Sequence, residues 1–164
     1  MDRDIFDKFN EGLRESVTPR GRWVATITRA DGSTEVKSLT NIVTALGLDA
    51  LASRAISNTT SAFNHMAVGT VTAASSLGST NFGEVSRKVP TTITSSKEVF
   101  YSVNTWGGAA DSVTSVTLES AAIVNHVNSG LGTVLNIVTG VSATLADSDF
   151  LHLEVQIQVG SHNL

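Results

Sequence analysis

The residues that could do chemistry in this chain are few and scattered. Its four histidines, His65, His126, His152 and His162, show neither the i/i+2 nor the i/i+4 spacing that brings two imidazoles onto one metal ion. Three of them fall on predicted strands, where alternate exposure accounts for them without a ligand. Asp147-x-Asp149 resembles the start of a calcium loop, but the further oxygen ligands, the glycine and the closing Glu are missing. Carboxylates that accept turn N–H groups fit that spacing better. Glycoside hydrolysis needs two carboxyl groups across a cleft, and Glu84, Glu98, Glu119 and Glu154 could supply them. Nothing in their spacing aims one at another. There is no cysteine, hence no thiolate nucleophile, thiolate metal site or disulfide framework. Phosphate-loop, dinucleotide, nucleophile-elbow and zinc-protease motifs are absent. The expectation is a protein that is not an enzyme, with no catalytic residues, cofactor or metal.

Two further features bear on binding. Sugar-recognising sandwiches stack rings on aromatic side chains, and here Trp23, Trp106 and Tyr101 are the Trp and Tyr complement. Trp106 precedes Gly107-Gly108 at a predicted strand end, so Tyr101 and Trp106, with loops 71–83 and 104–112, are the candidate glycan contacts. Core packing is the competing role for both tryptophans. Glu84 and Arg87 are three apart, a spacing that pairs on a helix but not on a regular strand, where facing positions differ by two. An exposed pair of this kind contributes about 0–1 kcal/mol.

Charge is distributed unevenly. Of 164 residues, 41% are hydrophobic and 16% charged, with a net charge of −4. Residues 1–40 hold 14 charges and the remaining 124 residues only 12, while Ser and Thr number 20 each. Globular chains average about 25% charged residues, and interface cores are the surfaces depleted in charge. A body this poor in charge points to a surface covered by other subunits, the alternative being a β-rich monomer kept soluble by its hydroxyls. The one basic cluster, Arg20, Arg22 and Arg29, sits among acids, which argues against nucleic acid. No run approaches 18 apolar residues, and MDRDIFDKFN is too charged for a signal-peptide core. A soluble protein with no exported leader and no membrane partner is the expectation.

Residues 3–17 read as an amphipathic helix with Ile5, Phe9 and Leu13 at i, i+4, i+8 and Phe6 beside them. RWVATITRA (22–30) and STEVKSL (33–39) read as a hairpin around a type I′ turn at Asp31-Gly32. A helix is expected at about 42–55, capped by Thr40 or Asn41 and buried on most sides. Strands then follow at 65–71, 85–94, 97–106, 112–118, 121–127, 131–140 and 150–159. The last alternates Leu151, Leu153, Val155, Ile157 and Val159 with polar residues. The chain is therefore predicted to be mainly β: an antiparallel jelly-roll-like β-sandwich (19–164) with one packed helix, preceded by an N-terminal helical arm (1–18).

Several of these segments together resemble tailed-bacteriophage virion proteins of the small β-sandwich type, the tail-fibre, head-fibre and capsid-decoration kind. The resemblance runs from about Arg22 to Val159. It consists of GRWVATI, the Asn41-Ile42-Val43 to Gly47-Leu48 segment, His65-Met66-Ala67-Val68-Gly69-Thr70, Phe82-Gly83-Glu84-x-x-Arg87, Asn128-Ser129-Gly130 and Asp149-Phe150-Leu151. Glu119-Ser120-Ala121 departs from the Glu-x-Gly common in that family. The resemblance implies structural work in a virion assembled in the host cytoplasm: self-association as a homotrimer or other homo-oligomer, and docking to major capsid or tail proteins. In that reading Ile5, Phe6, Phe9 and Leu13 anchor the arm. A carbohydrate-binding module for host-surface glycans is the alternative.

Overall fold

A computed structural model describes residues 20–56, 61–73, 82–96 and 99–158. The expected helix at 3–17, with Ile5, Phe6, Phe9 and Leu13, lies outside them. The described chain forms ten strands and one helix: β1 (Arg20–Thr28), β2 (Thr34–Thr40), β3 (Ile42–Val43), α1 (Ala45–Ile56), β4 (His65–Gly69), β5 (Glu84–Lys88), β6 (Thr92–Ser96), β7 (Val99–Gly107), β8 (Thr117–Val124), β9 (Val134–Thr144) and β10 (Phe150–Gln158). They build a front sheet in the order β2-β1-β10-β7-β6 and a back sheet in the order β3-β9-β8-β4-β5. Every pairing between these strands is antiparallel.

The pairing is nested as in a doubled-over hairpin: β1 with β10, β3 with β9, β4 with β8 and β6 with β7. The outermost and innermost pairs lie in the front sheet and the middle two in the back sheet, so the folded-over chain wraps a core between them. That core takes Trp23, Ala25 and Ile27 from β1, Leu151, Leu153, Val155 and Ile157 from β10, and Met66, Val68, Ile123 and Val138 from the back sheet. The period of two in β10 is the driving force made visible: its four inward side chains are fully buried, each worth about 1.5–3 kcal/mol. The back sheet differs from the one-sided pattern expected of its strands. Ala67, Ala122, Val124, Val134 and Ile137 form a second apolar cluster with Phe82 on its other face.

The local differences from the sequence reading have identifiable causes. In the first hairpin only Gly32 has positive φ (85°), while the Gly32 N–H donates to the Arg29 carbonyl and the Arg29 N–H to that of Ser33. This is a three-residue loop with glycine in the left-handed position, not a type I′ turn. The segment 85–94 is two strands because Pro90 has no N–H for the ladder, and Val89-Pro90-Thr91 carries the chain from back sheet to front. The segments 112–118 and 121–127 are replaced by the single strand β8, preceded by a turn with positive φ at Ser112 and Ser115.

Helix α1 starts three residues later than expected because Ile42–Val43 pair with Asn136 and Ile137 as a strand. Its cap is Thr44, whose hydroxyl oxygen accepts from the Gly47 N–H at 2.9 Å, and neither Thr40 nor Asn41. Gly47 lets the helix press on β9: a Cβ there would lie 2.6 Å from Leu135 Cα. Leu48 and Leu51 pack on the core, but Leu46 and Asp49 are exposed, so the helix is buried along one side only. No helix among the described residues is long and apolar enough to cross a membrane.

Candidate interface at an unguarded sheet edge

The two aromatic candidates occupy β7, five residues apart, and a strand sends residues of odd separation to opposite faces. Trp106 points inward with 0% exposure, so it offers no ring to a sugar. Its indole N–H donates to Ser86 Oγ at 3.1 Å, and Lys88 Nζ lies 5.6 Å from the ring centroid. Lys88 in turn donates to the Thr105 carbonyl at 2.7 Å and meets Asp111 at 2.8 Å. Trp106 thus ties β7 to β5, front sheet to back. Tyr101 is half-buried on the outer face, and its hydroxyl donates to Glu154 Oε2 at 3.0 Å. Partial burial and that carboxylate both raise the phenol pKa and keep the proton on the donor. Glu154 Oε1 stands 3.4 Å from His152 Nε2, and His152 Nδ1 stands 2.9 Å from Thr105 Oγ1. The antiparallel register assembles this chain, placing Gln156, Glu154 and His152 opposite Tyr101, Val103 and Thr105.

Glu84 and Arg87 do pair, on a strand. Gly69 faces Glu84 and Val68 faces Ser86, so Val85 is the extra residue of a β-bulge. The bulge flips the alternation and brings positions three apart to one face. Arg87 grips Glu84 through Nε–Oε1 and Nη2–Oε2 contacts of 2.7 Å each, with the two side chains only 4% and 7% exposed. The remaining Nη1 donates to the carbonyls of His126 and Leu131, and Glu84 Oε2 accepts from the Gly130 N–H at 2.9 Å. Beyond gripping each other, the two side chains hold the 126–132 turn. The expectation of an exposed pair is corrected: a bulge is invisible to period counting, and burial follows from it.

Asp149 holds the turn before β10. Its carboxylate accepts from the Ala30 and Ala146 N–H groups at 3.0 Å each and from Arg29 Nη1 at 2.8 Å. The Ala146 bond first, and then Arg29, hold its pKa below the ordinary carboxylate value. A carboxyl that titrates lower when folded stabilises the fold fully above its unfolded pKa of about 3.9, and that stabilisation is lost as pH falls through the folded value. Asp149→Asn is therefore expected to lower Tm at pH 7 and to flatten the acid limb of a Tm-versus-pH profile below about pH 4. An acid limb superimposable on that of the unaltered protein would refute this role.

His65 is buried with Nδ1 unpartnered, and desolvation, then the nearby Arg87 and His126, lower its pKa and keep it neutral. His126 Nδ1 accepts from the Asn128 N–H at 3.0 Å. Glu119 accepts from Ser142, and Glu98 lies outside the described residues. Among the described residues no three His, Asp or Glu side chains gather as metal ligands.

Each sheet ends in two edge strands whose outward N–H and C=O groups invite another strand unless something guards them. Three of the four edges are guarded. On β2, Lys37 reaches across to the Val141 and Ser142 carbonyls and pairs with Glu35, leaving charges along the edge. The β3 edge is two residues long. On β5 there are the bulge and the charges Glu84, Arg87 and Lys88. The fourth is β6, Thr92-Ile93-Thr94-Ser95-Ser96, which has no charge, no proline and no bulge within its pairing to β7. Its residues 92–95 are all exposed. Comparison of the chain with family models, curated proteins and solved structures finds no match.

Beside this edge the front sheet overhangs the core. Ile93 and Ser95 pair with Ser102 and Phe100, whose partners on β10 are Val155 and Ile157, so they face inward. Ile93 is nonetheless 42% exposed, and with Phe100, Ile157, Leu51, Phe63 and Leu135 it lines an open groove of about 370 Å³. Sequence reasoning missed this edge, although a charge-free Thr/Ser strand following a proline was a signal available to it.

Proposed function

We propose that this chain is a structural component of a tailed-phage virion, a capsid-decoration or fibre-base protein that works by self-association and by docking to major capsid or tail proteins. One observation carries the reading. Three ion pairs of the sandwich, Arg29–Asp149, Glu84–Arg87 and Lys88–Asp111, are engaged in holding its own turns and joining its sheets, while the uncharged edge strand β6 has no further strand beside it among the described residues. Such a surface suits contact with other subunits better than recognition of a small polar molecule. The resemblance of the segments from Arg22 to Val159 to virion proteins supports the same reading, and of the two aromatic residues in the glycan alternative only Tyr101 faces outward.

The arm, residues 1–18, is the docking element in this proposal, with Ile5, Phe6, Phe9 and Leu13 as anchors. Mass spectrometry of purified particles is expected to find the full chain. A chain lacking residues 1–17 should fold and be absent from them. Absence of the full chain from particles overturns the proposal, and a truncated chain that cannot fold assigns the arm to the core.

A further inference from the structure

We propose that β6 pairs antiparallel with β6 of a second copy about a twofold axis at Thr94, joining two front sheets into one of ten strands. The inference rests on the self-association proposed above and names its seam. Three observations carry it. The edge strand is free of charge, so two copies meet without desolvating an ionic group at the seam, whereas the β2 and β5 edges carry Glu35 and Lys37, and Glu84, Arg87 and Lys88. In the register centred on Thr94 the strand complements itself: Thr92 faces Ser96, Ile93 faces the small Ser95, and Thr94 faces Thr94, which sets two hydroxyls across the seam at its centre. The twofold also keeps inner faces on one side, so the half-exposed Ile93 of each copy lies diagonal to the other, about 7–8 Å away, and the two grooves abut. An isologous contact of this kind closes after two copies, which distinguishes it from a head-to-tail ring.

The absence of native cysteine gives a direct test on the full chain. Residues facing each other in an antiparallel pair have Cα atoms about 4.5–5.5 Å apart, inside the span a disulfide bridges. Thr94→Cys is expected to oxidise to a covalent dimer at least about tenfold faster than Val36→Cys, a control that is likewise exposed, on the β2 edge. Thr94→Lys places two ammonium groups face to face and is expected to raise the dimer dissociation constant by about tenfold or more in sedimentation equilibrium. The seam is overturned if Thr94→Cys oxidises no faster than the control, or if association ignores Thr94→Lys. A trimer indifferent to both substitutions removes the seam but leaves self-association standing, whereas a monomer at every concentration removes both.

Discussion

Arg87→Ala is expected to destabilise the protein by about 3–5 kcal/mol, because it strands the Glu84 carboxylate at a site where that side chain is 7% exposed. The loss goes beyond the pair. The His126 and Leu131 carbonyls lose their donor, and the contact from Glu84 to the Gly130 N–H in the same turn loses the guanidinium that positions its carboxylate. Set against a total stability of about 5–15 kcal/mol for a domain, this substitution brings the fold close to its limit. The double variant Glu84→Gln with Arg87→Met removes both charges and keeps most of the volume, so it should recover a good part of the loss. Urea denaturation of the three proteins decides the matter. If Arg87→Ala costs less than about 1 kcal/mol, the pair behaves as an exposed one and its assigned role in holding the turn is wrong.

Trp106→Ala carries the second large effect, about 3–5 kcal/mol, since it empties a fully buried indole volume between the sheets. It also removes the donor to Ser86 and the ring beneath Lys88. Trp106→Phe keeps most of the ring and should cost about 1–2 kcal/mol, the share belonging to the hydrogen bond and the residual gap. Both values come from chemical denaturation, with near-ultraviolet circular dichroism reporting the loss of the fixed indole. A Trp106→Ala protein as stable as the original would mean that the ring lies at the surface, which would return it to the sugar-stacking role.

Much of the architecture was legible in the residues. The alternation from Phe150 to Gln158 described a strand with one buried face, and its four inward side chains are fully buried as that pattern requires. The Asp-Gly pair marked the first hairpin, and the sandwich class followed from the spacing of short alternating runs. Legibility failed wherever a contact distant in the chain overrode the local pattern. Ile42–Val43 continue a helical periodicity in sequence, yet hydrogen bonding to β9 makes them a strand and pushes the helix cap to Thr44. The separation of Tyr101 from Trp106 was within reach of counting, since an odd spacing on one strand already sends them to opposite faces.

Local chemistry by itself determined that this chain is a β-rich body with a charge-poor surface, because side-chain period, turn residues and composition act over a few neighbours at a time. Which edges are guarded was decided only in three dimensions. Guarding depends on where Lys37 reaches, where the bulge at Val85 falls and which strands are left without a neighbour, and those are properties of strand order and register. Nested pairing of residues more than a hundred positions apart leaves β6 at a margin, with no strand on its outer side among the described residues. No stretch of five residues carries that information, since an edge exists only once the rest of the sheet has been laid down beside it.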